Sequence, residues 1–424
     1  MAEPGDNRPR IAPPPWMVEW TTRAVLDALS SGGVEARFVG GVVRDTLLGL
    51  PILGPGRATD IDIATPAPPE QIIELLEKRG VRVVPTGLAH GTVTAVVPPR
   101  HFEITTLRRD VETYGRRARV AFDADWAADA ARRDFTINAI FLAADGTIYD
   151  LVGGLEDLRA GRVRFVGDPA TRIAEDVLRL LRYYRFEARF GSGSGDEPAR
   201  AACRAAAHLL PTLSAERVAQ ELVRLLETPD PGRAVQMMQE DGVLAVVLPE
   251  ARRLDRLRRM IAIEPDPDPL RRLAAVVEVD ADAAAALADR LHFPNAWRDR
   301  LRDLAAPWPF DPGTDGVKQR RALYRLGAAR YRDLVLLDAA NARVSAERLA
   351  ELIDFARDWT PPQFPLTGHD VISLGIPPGP RVGELLDAVE RWWEAQDFTA
   401  NRDQCLGRLK ELAEGGVSKA SGGP

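Results

Sequence analysis

The spacing of apolar and polar positions divides the chain into a first part that mixes strands with helices and a longer second part that is helical. Apolar residues recur at helical spacing over 16–30, which predicts a first helix. Short apolar runs bounded by turn residues predict strands at 81–84, 93–97 and 102–107 and a hairpin at 141–150. Beyond residue 222 the pattern is helical, with Pro-rich breaks. These patterns predict an α+β fold class.

Two acidic residues, Asp60 and Asp62, stand two positions apart in a further predicted strand. Side chains at positions i and i+2 of a β-strand point to the same face, roughly 6.8 Å apart. The two carboxylates are therefore expected side by side, with Ile61 turned into the core. This is the outline of a site for divalent metal ions.

A glycine pair precedes these aspartates. Gly40 and Gly41 lie where the strand beginning at Phe38 passes into a helix, and glycines at such a turn let backbone N–H groups approach a phosphate at the helix N-terminus. Arg44, one turn into that helix, adds a charged donor. Either feature alone is common for structural reasons. Together, metal carboxylates and an anion cradle suggest a nucleoside triphosphate.

These segments resemble a known family. Gly40-Gly41-x-x-Arg44-Asp45-x-x-Leu48-Gly49, followed by Asp60-x-Asp62-x-x-Thr65, is similar to the nucleotidyltransferases that add the CCA end to tRNA and to the related bacterial poly(A) polymerases. Arg132-Arg133-Asp134-Phe135-Thr136-Ile137-Asn138-Ala139 matches a second family segment residue for residue. The family usually has a shorter connection before the Asp-x-Asp pair, so Ile52 to Arg57 is interpreted as a loop insertion.

The resemblance implies the roles of residues in the first part of the chain. Asp60 and Asp62 are expected to hold Mg²⁺, and Glu103 to act as a base or third ligand, the alternative being a solvent-exposed carboxylate on an edge strand. The other residues expected to bind or shape the nucleotide site are Gly40, Gly41, Arg44, Asp45, Arg132, Arg133, Asp134 and Asn138.

A long helix is predicted from the Asp168-Pro169 cap to about Phe190. Asp176 and Arg179 are then neighbours at i and i+3, and a basic ribbon of Arg179, Arg182 and Arg185 winds round one side. An intrahelical salt bridge on a solvated face is one interpretation. The resemblance implies another: Asp176 and Arg179 pair with the edges of C and A, while Arg182 and Arg185 contact phosphate or stack near the base.

Two further segments acquire an interpretation from the resemblance. Arg108 to Asp129 is charged and lacks a steady period, so it is predicted to be a mobile loop, which in the family helps the switch from C to A addition. Gly153-Gly154, within the segment 150–158, resembles the family's hinge between catalytic head and helical neck.

The fold implied is a polymerase-β-like nucleotidyltransferase head with a small mixed β-sheet, followed by an all-α neck, body and tail. The predicted divisions are a disordered N-terminus at 1–15, the catalytic head at 16–150, the neck at 151–230, the tRNA-binding body and tail at 231–412, and a disordered tail at 413–424.

Composition bears on the partners and the cellular compartment that are expected for this chain. The formal net charge of −6 would ordinarily argue against a nucleic-acid partner, but almost all positive charge is arginine, and local clustering decides RNA binding. The two cysteines, Cys203 and Cys405, fit a reducing compartment and neither a disulfide framework nor a zinc site. No apolar run approaches a membrane span and no signal peptide is visible, so a cytoplasmic protein without a membrane partner is expected.

The predicted function is template-independent addition of C, C and A to the 3′ end of tRNA from CTP and ATP by two-metal transfer. A poly(A) polymerase, a CC-adding or A-adding enzyme, and a non-catalytic RNA-binding protein are the alternatives. The oligomeric state is not predicted.

Overall fold

The structure of the 424-residue chain is a computed structural model. It describes residues 8–54, 57–58, 61–88, 91–114, 117–122, 124–306 and 316–417, with only the backbone described at 53–54, 57–58, 86, 109–114, 117–122 and 415–417. The chain forms two compact units. The first contains the chain up to Leu254 with Pro267–Pro269 and Ala286–Asn295, and the second contains Asp255–Asp266, Leu270–Ala285 and the chain from Ala296 onward.

The described strands all lie in the first unit. They are Arg37–Val39 (β1), Leu53–Gly54 (β2), Arg57–Ala58 (β3), Ile61–Thr65 (β4), Arg82–Gly87 (β5), Thr92–Val97 (β6), Arg100–Thr106 (β7), Arg108–Tyr114 (β8), Arg117–Phe122 (β9), Ile140–Ala143 (β10) and Ile148–Asp150 (β11). Seven of them form one sheet in the order β11-β10-β1-β4-β7-β6-β5. Only the β4–β7 pair among these is parallel, so the predicted small mixed sheet is confirmed.

The helices up to Val247 are Pro15–Val18 (α1), Trp20–Ser30 (α2), Gly41–Leu47 (α3), Pro69–Lys78 (α4), Trp126–Ala131 (α5), Gly154–Ala160 (α6), Pro169–Glu175 (α7), Leu178–Phe190 (α8), Glu197–Ala206 (α9), Ala215–Leu226 (α10), Gly232–Glu240 (α11) and Val243–Val247 (α12). Two 3₁₀ turns, Thr136–Asn138 and Ala207–Thr212, complete this part.

The later helices are Leu254–Ile263 (α13), Pro269–Val276 (α14), Ala281–Arg290 (α15), Asn295–Ala305 (α16), Gly316–Ala340 (α17), Ala346–Asp358 (α18), Gly368–Ile372 (α19), Pro380–Ala395 (α20) and Arg402–Val417 (α21). α17 is interrupted at Gly327, which has non-helical dihedral angles. The described residues beyond 222 contain no strand, as the helical pattern predicts. None of the described helices is both long and apolar enough to cross a membrane.

The two faces of the sheet carry different partners. Alternating residues of β6 are buried, and α2 and α4 pack on this side with the fully buried Leu29, Ile72 and Leu76. The other face, which includes Asp62, carries a separate cluster of Val39, Ala64, Leu107, Ala130, Ala139, Phe141 and Val166. The sheet therefore has one face covered by helices of the core and another that leads into the candidate site.

The segment predicted as a mobile loop, Arg108 to Asp129, is instead mostly regular. β8 and β9 pair in an antiparallel ladder from Arg108↔Phe122 to Tyr114↔Arg117, and α5 follows. Residues 115–116 and 123 lie outside the described residues. Charged residues stand at consecutive positions in this part of the sequence, such as 108–110, so no apolar period of two is evident there.

The predicted disordered ends are too long. Ile11 donates its backbone N–H to Gly146, and Ile148 donates to Pro9, so residues 9–11 pair with the β10–β11 hairpin. At the other end α21 continues to Val417. Residues 1–7 and 418–424 lie outside the described residues. The predicted insertion from Ile52 to Arg57 contains β2, which pairs with β3.

The Gly153-Gly154 pair, predicted as the hinge between head and neck, forms a close-packed turn. Gly153 adopts φ +79° as the N-cap of α6. A Cβ at Gly154 would lie 2.1 Å from the carbonyl oxygen of Thr136, whose hydroxyl donates to the buried Asp157 at 2.6 Å. The glycine is required because another backbone segment occupies the space of a side chain.

Gly154→Ala is therefore expected to lower the stability of the first unit by about 1–3 kcal/mol, the usual cost of forcing an extra methyl into a packed region. Gly193→Ala is the matched control, because a Cβ there meets nothing within 4 Å. Urea unfolding followed by circular dichroism measures both midpoints. Equal midpoints for the two variants would contradict the close-packed turn.

Candidate active site

Strand pairing brings the predicted catalytic carboxylates together. Asp62 pairs in register with Val39 on one side and with Glu103 on the other, so Asp62 and Glu103 point to the same face of neighbouring parallel strands. Asp62 is half-buried, and Glu103 is exposed. Asp60 lies outside the described residues. The strand that carries Glu103 therefore lies beside the Asp-x-Asp strand, as predicted, and Glu103 is paired with Asp62.

Gly40 approaches Asp62 closely. A Cβ at Gly40, which adopts φ +77°, would lie 3.0 Å from Asp62 Oδ2. Gly40 is the N-cap of α3, which begins at Gly41. The strand-to-helix turn predicted from the sequence therefore lies directly beside one of the two carboxylates. Only glycine combines this left-handed backbone with this close approach at low cost.

Hard divalent cations prefer oxygen ligands, which Asp62 and Glu103 supply on a shared face. The parts of the chain that the structure describes contain no group of three or more His, Cys, Asp or Glu residues arranged to hold a metal ion. The donor chemistry of the two neighbouring carboxylates fits a hard cation.

Arg44 is buried within an ion-pair network. Its Nε donates to Asp45 Oδ1 at 2.8 Å, its Nη1 donates to Asn138 Oδ1 at 2.6 Å, and its guanidinium lies 4.1 Å from the centre of the Phe190 ring. Burial lowers the pKa of Arg44, which the charge of Asp45 opposes. Arg44 thus joins α3 to the Arg-Arg-Asp segment and to the end of α8.

The network continues from Asn138 to the neck. Asn138 Nδ2 donates to Asp134 Oδ1 at 3.1 Å, and Arg182 donates from Nε and Nη2 to Asp134 Oδ2 at 2.9 and 2.5 Å. Burial opposes ionisation of Asp134, but the charge of Arg182 and the hydrogen bonds lower its pKa to about 2. The charge of Asp134 in turn raises the pKa of Arg182. The pair remains fully ionised at neutral pH.

Arg132 and Arg133 share one carboxylate that sequence analysis missed. Arg132 donates from Nε and Nη2 to Asp129 Oδ1 at 2.8 and 2.6 Å, and Arg133 donates to Oδ2 at 3.2 and 2.8 Å. Asp129 is fully buried. Burial favours its neutral form, but the charges of Arg133 and Arg132 outweigh this effect and lower the pKa of Asp129.

The predicted helix from Asp168 to Phe190 is broken at Asp176, which corrects the expected i, i+3 pair. Asp176 has extended dihedral angles, φ −153° and ψ 107°, between α7 and α8. Its Oδ2 accepts from Arg217 Nη2 at 2.7 Å. Arg179 pairs with Glu175 and donates to the carbonyl oxygens of Arg172 and Arg132. Asp176 and Arg179 therefore have different side-chain partners, although they remain close in sequence.

The predicted basic ribbon is neutralised by acids from other elements. Arg182 pairs with Asp134, and Arg185 Nε donates to Glu221 Oε2 at 2.6 Å. Burial lowers the pKa of Arg185, and the charge of Glu221 opposes this. α10 supplies Arg217 to Asp176 and Glu221 to Arg185.

Two known family models match parts of this chain. The model described as "Poly A polymerase head domain" matches residues 36–164, and "Probable RNA and SrmB- binding site of polymerase A" matches residues 196–254. The "CCA tRNA nucleotidyltransferase 1, mitochondrial" of Danio rerio is 34% identical over 394 residues, which span 89% of this chain and 87% of that protein. The chain belongs to the CCA tRNA nucleotidyltransferase family.

Further members of the CCA tRNA nucleotidyltransferase family agree. The "CCA-adding enzyme" of Lacticaseibacillus paracasei is 32% identical and covers 87% of this chain and 90% of its own length. The crystal structure of the Bacillus stearothermophilus CCA-adding enzyme in complex with CTP has a TM-score of 0.76 at 28% identity, covering 95% of this chain and all of that one. The predicted family, fold and enzyme class, a nucleotidyltransferase, are confirmed.

Several residues of the site escaped the sequence analysis because they act as partners. Asp129, Glu175, Arg217 and Glu221 hold predicted residues by ion pairs. A signal existed for Asp129, which precedes the arginine pair by three and four positions, the spacing of one helical turn. Arg217 and Glu221 share one face of α10 for the same reason.

The low pKa of Asp134 sets a pH dependence. Because the folded pKa of about 2 lies below the ordinary 3.8, ionised Asp134 contributes stability that is present above pH 3.8 and lost as the pH falls through 2. Asp134→Asn is expected to cost about 2 kcal/mol at pH 7. Urea unfolding midpoints at pH 7, 5 and 3 measure the loss of stability. The difference in midpoint between the variant and the parent should become smaller toward pH 3.

The exposed Asp27, changed to Asn, controls for removing one carboxylate from the first unit. If the midpoints of Asp134→Asn and the parent differed by the same amount at all three pH values, the charge of Asp134 would not be the source of the difference.

Proposed function

We propose that this protein adds C, C and A to the 3′ end of tRNA, using CTP and ATP and no template. The observation that carries this proposal is the Asp62–Glu103 pair beside Gly40, connected through Arg44, Asn138, Asp134 and Arg182 to the neck. Family membership supports the same activity.

Asp60 and Asp62 are proposed to hold Mg²⁺, with Glu103 as a third ligand or as the base. Bound there, the ions would activate the RNA 3′-hydroxyl and neutralise the leaving pyrophosphate. Gly40 keeps space open next to Asp62 Oδ2 for such a ligand. The main chain at Gly41 and the guanidinium groups of Arg132 and Arg133 are proposed to receive the triphosphate, because N–H donors and positive charge suit phosphate oxygens.

Arg44, Asp45, Asp134 and Asn138 are proposed to shape the site through the network rather than to contact phosphate. Their polar atoms are largely committed to one another and to Arg182. Such a network fixes α3 relative to the neck. This refines the expectation that Arg44 donates directly to the nucleotide.

Asp176 and Arg179 are proposed to select the base. Asp176 can accept from the exocyclic amino group that C and A share, and Arg179 can donate to a ring nitrogen or carbonyl oxygen. In this structure Glu175 orients Arg179 by an ion pair through Nη1, which occupies only part of the five N–H groups of the guanidinium. Arg217 orients Asp176 through its contact with Oδ2.

The second unit offers a basic groove for RNA phosphates. A cavity of about 400 Å³ is lined by Lys318, Arg321, Arg325, Arg391 and Glu394, with Ala322 and Leu326. The three cations of α17 recur at i, i+3 and i+7 and therefore share one helical face. This local excess of positive charge in a chain of net charge −6 supports tRNA contact through the backbone.

The cytoplasm is proposed as the location. Cys203 and Cys405 are both free and buried, as suits a reducing compartment, although the relatives include proteins named mitochondrial.

The activity is tested with Mg²⁺ and a tRNA lacking CCA, given CTP, ATP or both, followed by sequencing of the 3′ ends. Two C residues and one A, then a stop, are expected. Asp62→Ala should lose at least 100-fold in turnover because it removes a metal ligand, with tRNA affinity unchanged, while Asp27→Asn should match the parent. A long A tract, a stop at CC, A added only to a CC end, or no extension would each contradict full CCA addition.

Base selection is tested by Arg179→Ala. Loss of its donors should reduce discrimination of CTP against UTP by about 10- to 100-fold while some turnover remains. Arg172→Ala is the matched control, because Arg172 is the other arginine paired with Glu175. Competition assays with CTP and UTP measure kcat/KM ratios. Equal ratios for the two variants would move base selection away from Arg179.

A further inference from the structure

Asp129 is a buried carboxylate to which the proposed function assigns no part. Arg132 and Arg133 follow it by three and four positions, at the end of α5. Consecutive residues in a strand point to opposite faces, but residues at i+3 and i+4 of a helical turn both lie over residue i. The end of α5 therefore brings two adjacent guanidinium groups to one side of the chain, where one carboxylate orients both.

Asp129 lies on α5, which packs firmly against the sheet. Ala130 is fully buried, and the Trp126 ring packs edge-on against Phe141 with centroids 5.2 Å apart. The guanidinium of Arg37 lies 3.9 Å from the centre of the Trp126 ring. α5 is thus fixed to the β1–β10 part of the sheet, and Asp129 is fixed with it.

Two arginines that share one carboxylate have a net positive charge and further N–H groups that do not bind Asp129. Each guanidinium has five N–H groups and directs two of them to Asp129. The side chains of Arg132 and Arg133 are 16% and 17% exposed, whereas that of Asp129 is 1% exposed. The acid is therefore sealed behind the two cations, which reach solvent.

We propose that Asp129 is a positioning residue that fixes Arg132 and Arg133 as a preorganised pair for the incoming triphosphate. This inference rests on the proposed function, which places the triphosphate at those arginines. Preformed geometry lets the two cations meet the phosphates without reorienting, which benefits the transition state more than simple binding. Asp129 acts on the rate through the arginines and touches no substrate.

Asp129→Asn keeps the shape of the side chain and removes its charge. With tRNA lacking CCA at saturation, kcat for CTP is expected to fall about 10- to 100-fold because the arginines lose their fixed geometry. Inhibition by inorganic tripolyphosphate is expected to become stronger, since the site gains one net positive charge. Steady-state kinetics with CTP and inhibition by tripolyphosphate measure the two effects.

Asp241→Asn is the matched control. Asp241 is also a buried carboxylate that holds two arginines, Arg200 and Arg204, with a side chain 1% exposed. Asp241→Asn is expected to lower the urea midpoint while kcat and tripolyphosphate inhibition stay parental. If Asp129→Asn likewise lost stability alone, Asp129 would be a structural ion-pair partner and the proposal would be wrong.

Asp129→Glu covers the case in which the Asn variant does not fold. It keeps the charge but displaces the carboxylate by one methylene, so kcat should fall with parental tripolyphosphate inhibition, and an unchanged kcat would overturn the proposal. Arg133→Ala tests the triphosphate assignment separately from the role of Asp129. Unaltered CTP kinetics in Arg133→Ala would refute the triphosphate assignment itself, whatever Asp129 does.

Discussion

A carboxylate that is largely buried must be met by a cation, and this requirement organises the first unit. The chain has only four lysines, so its positive charge is carried by arginine, which stays protonated even when buried. Asp129, Asp134, Glu175 and Glu221 each bind arginines of the family motifs. Removing one member of such a pair would leave an uncompensated buried charge, which is strongly unfavourable.

These pairs join elements that are far apart in sequence. Arg44 on α3 reaches Asn138, and Arg182 on α8 reaches Asp134, four residues before Asn138. The side of the site that carries Asp62 is thereby coupled to the helix proposed to read the base. A set of directional, charged contacts specifies this arrangement more narrowly than apolar packing alone, because a displaced helix would separate the charges.

The local patterns were informative where one physical signal dominated. The glycine turn at Gly40 and the acidic pair with strand spacing were predicted from local residues. The helices beyond residue 222 were predicted from their periodicity. The break at Asp176 was not predictable from periodicity, because Arg217 and the backbone N–H of Leu178 hold its carboxylate from outside any helical repeat. Likewise β8 and β9 carry charges at positions where an apolar alternation would normally identify strands.

The β8–β9 hairpin also bears on how binding energy is used. A disordered segment that ordered over a substrate would lose backbone entropy of about 1–2 kcal/mol for each residue fixed. In this chain residues 108–114 and 117–122 already have a paired backbone, and Leu107 anchors the ladder by donating to Thr65, at the end of β4, at 2.7 Å. The backbone entropy of the paired hairpin residues is therefore lost largely during folding rather than when a ligand binds.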